Sequence, residues 1–254
     1  MQRRSYLRAG AVGGLAVLGG LAGCFERAGL VRDRRTVSEG RRIEGTDDAM
    51  DRERFATVAA DVVEAYGDSG IWGVERSEPD HALEFVGAWH HEPEPELPVE
   101  TGHALACYLV PDVLEDDADL YHFWLWSAAR TTDGEESVRS IHTGVELTSD
   151  EAGMRGYVPV GDSAEEREGD DEVDHFVVTE LFDLGATPPS ARWPVYGGEI
   201  DVRDGTGVGA SGAYLPEWSG RGERLQSLVA TCEVVVGRGI FPTVDWTTAV
   251  EVRV

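Results

Sequence analysis

Apolar and polar residues alternate over the last eleven positions. Val244, Trp246, Thr248, Val250, Val252 and Val254 fall on one side, and Asp245, Thr247, Ala249, Glu251 and Arg253 on the other. A period of two sends one row of side chains into a core and the other into water, so this segment reads as a strand with one wet face. Further strand-length segments lie at about 71–76, 81–90, 102–110, 120–129, 138–148, 173–183, 198–203, 207–215 and 224–236. Turn-rich stretches such as Thr132-Asp133-Gly134 and Asp204-Gly205-Thr206-Gly207 separate them. Many short strands without alternating helices predict an all-β fold, mainly an antiparallel β-sandwich or barrel. One helical period precedes them. Phe55, Val58, Ala59, Val62 and Tyr66 recur at helical spacing, with Asp51, Glu53, Asp61 and Glu64 free to face water and Gly67-Asp68-Ser69-Gly70 as a stop. This predicts one N-terminal amphipathic helix that packs against a sheet.

The run Tyr121-His122-Phe123-Trp124-Leu125-Trp126 departs from the one-wet-face rule. Tyr121, Phe123 and Leu125 share one side and His122, Trp124 and Trp126 the other, so neither side is polar. A central strand covered on both faces accounts for this. The sharper reading makes His122, Trp124 and Trp126, with Trp89, an aromatic platform for a sugar or another apolar ligand. Side-chain exposure separates the two: tryptophans covered by the domain's own residues leave no platform.

Composition changes the setting. The chain has 254 residues, with 22 Lys+Arg against 48 Asp+Glu, and every one of those cations is arginine. Removing residues 1–23 takes away Arg3, Arg4 and Arg8 and no acid, leaving 19 − 48 = −29. Self-repulsion on that scale favours molar salt, where screening acts over about 3 Å. A surface of this sign excludes nucleic acid as a partner.

The chain opens with Arg3-Arg4-Ser5-Tyr6-Leu7-Arg8, a glycine-rich apolar run from Ala9 to Leu21, and Leu21-Ala22-Gly23-Cys24. That run is shorter than the roughly 20 residues a membrane span needs. The paired arginines Arg3 and Arg4 resemble a twin-arginine export signal, and Leu-Ala-Gly-Cys resembles the lipobox of lipoproteins. With the lysine-free, acidic composition, the chain resembles a haloarchaeal twin-arginine-exported lipoprotein. The resemblance is confined to the signal and the composition. It implies export of an already folded domain, acylation of Cys24 and residence at the outer face of the cell membrane, with the membrane itself, through lipid on Cys24, as a partner. Domain organisation follows: 1–23 signal peptide, 24–48 lipidated tether, rich in arginine and glycine, and 49–254 a single β-rich extracytoplasmic domain.

Two cysteines remain. Cys107 and Cys232 fall on apolar faces of their strands, and an exported pair is either bridged or two inert buried thiols. No Cys-x-x-Cys or ligand spacing indicates a metal site, and no cofactor is expected. Gly207, Gly209 and Gly212 satisfy G-x-G-x-x-G, but Ala213-Tyr214-Leu215-Pro216 follows with no helical period to receive a pyrophosphate, so this reads as a glycine-rich strand or loop. His90-His91-Glu92 heads a Pro/Glu tract that reads as a solvated, polyproline-like loop rather than a metal clamp. The acid clusters from Glu115 to Asp119 and from Asp162 to Asp174 lack the order of a calcium loop. No catalytic residue is assigned, since no triad, metal cluster or nucleophile context appears. The sequence favours a non-enzymatic surface module for interaction or envelope structure. A ligand-binding lipoprotein, for a sugar or small molecule, comes next and an extracytoplasmic hydrolase third. A pocket that collects several polar side chains would favour the latter two.

Overall fold

The computed structural model describes residues 34–67, 70–71, 83–92, 99–111, 117–132, 136–160, 167–168, 174–178, 191–223 and 225–253. The segment with Arg3 and Arg4, Cys24, most of the segment at 71–76, the Pro/Glu tract after Glu92, residues 115–116 of the first acid cluster and most of the second lie outside them. The protein is mostly antiparallel β-sheet with one short helix, arranged as a sandwich.

One sheet contains β1 (Arg34–Ile43), β15 (Val244–Arg253), β5 (Ser137–Leu147), β13 (Pro216–Gly222) and β10 (Glu199–Val202) in that order, with β12 (Ala213–Tyr214) also paired to β5. The facing sheet runs β11 (Gly209–Ala210), β6 (Ala152–Val158), β14 (Gln226–Gly237), β4 (Ala118–Thr131), β3 (Val99–Val110) and β2 (Glu84–His91). A small third sheet orders β7 (Arg167–Glu168), β8 (Asp174–Val178) and β9 (Ala191–Val195).

Residue type explains which strands sit where. β3, β4 and β14 are apolar on both faces and are buried along almost their whole length. One face supplies Leu105, Cys107, Phe123, Leu125, Ala230 and Cys232 to a core shared with Ile43, Val145, Val244 and Trp246 of the opposite sheet. The other supplies Ala104, Ala106, Tyr108, Trp124 and Trp126 to a second core beneath α1 (Arg52–Tyr66). β15 keeps the alternation its sequence displays, buried and half-buried in strict turn.

α1 begins at Asp51, whose carboxylate accepts from Arg54 N at 2.8 Å, and ends at Gly67, whose N–H donates to Val63 O at 2.9 Å. Phe55, Ala59 and Val62 face the sheet, while Asp51, Glu53, Asp61 and Glu64 are exposed as their spacing requires. Its last turn has no basic residue, and Arg130 on β4 supplies one from outside. Arg130 donates to Ala65 O at 2.9 Å, lies 5.0 Å from the centre of the Tyr66 ring, and pairs with Glu100 at 2.6 Å. Gly102 lets Trp126 lie flat on β3, since a Cβ there would meet the indole at 3.1 Å.

Several expectations are corrected. Residues 34–43 are not tether: they form β1, paired residue for residue with β15. β6, β9 and β13 add strands that the polar–apolar pattern did not reveal, and 207–215 is two two-residue strands around Ser211, not one strand. His90 and His91 end β2 rather than heading a loop.

Trp124 and Trp126 are 1% and 0% exposed and His122 is 5% exposed, so these three side chains form core and no ligand platform. Cys107 and Cys232 are free, buried thiols. Both stand opposite Phe123, one on each side of β4, which sets them two strand spacings or about 10 Å apart, beyond disulfide reach. Burial pushes both thiols well above their ordinary pKa, which keeps them unreactive.

Candidate functional site

The two sheets leave an open side where edge strand β1 faces edge strand β2. The chain itself joins these edges. Between Ile43 and Arg52 it crosses from one sheet to the other, and Met50 exchanges hydrogen bonds with Ala88 of β2, N to O at 2.7 and 3.2 Å. Gly87 makes this crossing close, because a Cβ there would stand 2.7 Å from Ala49 Cβ.

The open side holds a cleft of about 250 Å³ lined by Glu39, Gly40, Arg41, His91, Trp246 and Thr248. Pairing places each wall. Glu39 stands opposite Thr248, and Arg41 opposite Trp246, across the β1–β15 ladder. Trp246 and Thr248 are 3% and 5% exposed and form the floor, whereas the side chains of Glu39 and Arg41 are about 40% exposed and stand at the rim. The Trp246 indole N–H is turned inward, to Thr143 Oγ1 at 3.3 Å. His91 at the end of β2 closes the far wall and pairs with Glu39.

Charge at the rim is balanced locally. Arg41 pairs with Asp48, which also accepts from Trp89 Nε1 at 3.0 Å. That indole hydrogen bond, with the Arg41 guanidinium, holds the Asp48 carboxyl below the usual carboxylate range. Behind His91 the β2–β3–β4 register aligns His103 and then Ser127. The two imidazoles stack at 6.4 Å with their planes 15° apart, and His103 Nδ1 lies 2.9 Å from Ser127 Oγ. Burial, with the neighbouring His91 and His90, depresses the His103 pKa to about 3. The cleft therefore has a neutral imidazole behind a carboxylate-paired one. Ser127, beside that buried imidazole, is itself fully buried and does not open on the cleft.

Chemically, the walls offer a carboxylate, a guanidinium, an imidazole and a hydroxyl around an indole, a set able to donate to and accept from a small hydroxylated or dipolar molecule. The volume lies below that of sites for drug-sized ligands. Among the described residues no group of three His, Cys, Asp or Glu side chains is placed to hold a metal ion.

Of the residues singled out by sequence, His91 lines this cleft, while His122, Trp124, Trp126, Cys107 and Cys232 are core. Glu39 and Arg41 escaped notice because their segment reads as tether, and Trp246 and Thr248 because a regular strand face signals only core. The G-x-G-x-x-G glycines lie around the β11–β12 turn, where Gly209 and Ser211 take φ of 107° and 54° and no helix follows. Fold and cleft together define an antiparallel β-sandwich with a polar recess between its edge strands. No protein-family model and no curated protein matches the chain.

Proposed function

We propose that this protein is a non-enzymatic, lipid-anchored extracytoplasmic module that binds a small polar ligand in the cleft between β1 and β2. The N-terminal motifs support the anchoring: Arg3 and Arg4 as export signal, Cys24 as the acylated residue, and two acyl chains as a stable tie to the membrane. The acidic, lysine-free composition supports a high-salt exterior.

One observation carries the binding role. Four side chains with hydrogen-bonding groups, Glu39, Arg41, His91 and Thr248, converge on one recess above the Trp246 indole. An envelope module with no ligand has no need of such convergence. Hydrolysis lacks support there, since the nearest serine–histidine pair, Ser127 and His103, is buried. The ligand class that fits is a monosaccharide-sized polyol or zwitterion.

Ligand-observed NMR in molar potassium chloride, with monosaccharides and small zwitterions as probes, tests this. Saturation transfer to at least one probe class is expected, falling about tenfold or more in affinity with Glu39→Gln, since a hydrogen bond to a charged group is worth about 1.5–3 kcal/mol. Binding that ignores Glu39→Gln and Thr248→Val would remove the cleft from the account.

A further inference from the structure

A second polar depression, of about 360 Å³, lies on the sheet that contains β15, β5 and β13, where Arg139 and Ser219 help to line it. It is on the outer face. Trp246 and Thr248 meet the cleft from the inner side of β15, whereas Glu251, an odd number of residues further on, leaves the other side towards this depression. A bulge builds it. Val138 and Ile141 are both 0% exposed, although strict alternation would send residues three apart to opposite faces. The β5–β15 register passes from Ser140 opposite Glu251 to Val138 opposite Val252, which makes Arg139 the extra residue and lets it share the outer face with Ser140. Arg139 Nη1 donates to Gly220 O at 3.1 Å, and its Nε makes no hydrogen bond. Among the described residues it has no carboxylate partner. In a chain with 48 acids to 22 cations that stands out, since Arg34, Arg41, Arg130 and Arg203 each hold one. The two carboxylates that line the depression are engaged elsewhere. Arg203 grips Glu217 at 2.6 and 2.9 Å and Ser140 donates to it as well, which holds that carboxyl below the usual range, while Glu251 pairs with Arg34 at 3.3 Å. Arg139 is left with donors to spare and no anion to take them.

We propose that this depression binds the phosphate group of a phosphate ester, anchored by the Arg139 guanidinium. A guanidinium fork matches the oxygens of a phosphate or of a carboxylate. A tetrahedral group suits this site better, because the other donors come from different directions. Ser219 offers an exposed hydroxyl from β13 on one side of β5, and Arg34, 70% exposed and tied to Glu251 by one contact, reaches in from the β1 side. The depression is larger than a bare ion needs, so the alcohol part of an ester has room. Glu251 and Glu217 keep lone pairs that accept from hydroxyl or ammonium groups on that part. Glu199, opposite Ser219 on β10, is exposed, and molar salt screens its repulsion. Soluble sugar or glycerol phosphates and lipid headgroups share this chemistry; a monoester marks the first source and a diester the second. The site is independent of the cleft and of any ligand bound there.

The test uses the full chain in molar potassium chloride, titrated with glycerol phosphate, a monoester, and with glycerophosphoglycerol, a diester that is a lipid headgroup without its acyl chains. Binding is read from ³¹P NMR line widths. At least one probe is expected to broaden, and the one bound more tightly identifies the source. Arg139→Gln should weaken binding about tenfold or more, and Arg139→Lys, which keeps the charge and loses the fork, by less. Ser219→Ala, at an exposed position, should weaken it roughly twofold to tenfold. Glu39→Gln in the cleft should leave it unchanged. No broadening of either probe overturns the proposal, as does binding that survives both Arg139→Gln and Ser219→Ala or that is lost with Glu39→Gln. If Arg139→Gln fails to fold, Ser219→Ala decides: weaker binding upholds the site, and unchanged binding refutes it.

Discussion

Two buried histidines contribute acid sensitivity to this fold. His103 is sealed beside Ser127, and burial, with the nearby His91 and His90, brings its pKa down to about 3. His142 lies between Pro216 O at 2.9 Å and Thr247 Oγ1 at 3.2 Å, and burial, aided by the Arg203 charge, lowers it to about 4. Both are neutral when folded and titrate near 6.5 when unfolded. Above pH 6.5 neither state takes up a proton, and their contribution is fully present. As pH falls below 6.5 the unfolded chain gains protons that the folded chain refuses, so stability is lost, continuing down towards pH 4 and 3. By pH 5, before most carboxylates titrate, the loss is roughly 2 kcal/mol for each histidine. Denaturant unfolding at pH 7 and pH 5 in the same salt checks this. The drop should shrink in a chain carrying His103→Asn and His142→Gln, and an unchanged drop would place the sensitivity elsewhere.

At the scale of elements, β1 is the strand the account most depends on, because it forms one wall of the cleft. Its sequence, Arg34 to Ile43, contains four arginines and a glycine, with only Val37 and Ile43 as sizeable apolar residues. Charged edge strands of this kind resist pairing with other chains, and for the same reason they look like linker. Ile43 tells them apart. It is 2% exposed and packs with Val244 and Trp246. Ile43→Ala should therefore cost about 2–4 kcal/mol in denaturant unfolding, whereas the same change in a tether would stay within about 0.5 kcal/mol.

The contrast explains what could be read in advance. β4, β14 and β15 were legible because their apolar rows are long and uninterrupted, and α1 because Phe55, Ala59 and Val62 keep a helical stripe between Asp51 and Gly67. β6 and β13 were not: Gly153, Gly156, Pro216, Ser219 and Gly220 thin out the apolar row, and their burial comes from neighbours. The cleft was invisible for a different reason. Glu39, His91 and Thr248 come from three strands in two sheets, and only the packing of the sheets brings them together.

For the whole molecule, charge and address point the same way. The formal charge of −26 repels itself over about 30 Å in dilute buffer but only about 3 Å at molar salt. Much of the arginine is engaged at the surface, as in the Arg203–Glu217 fork at 2.6 and 2.9 Å and the Arg34–Glu251 pair at 3.3 Å. Exposed pairs of this kind contribute little individually, so the compact state leans on screening and on the two cores. On the function proposed above, the domain works at a salt-rich exterior and Cys24 is what keeps it there. The direct measurement is the partition of Cys24→Ser between membrane and soluble fractions, compared with the unsubstituted chain, in a host that exports and acylates such proteins. The account predicts that the substituted protein leaves the membrane fraction while its domain stays folded; retention in the membrane fraction equal to that of the unsubstituted chain would contradict it.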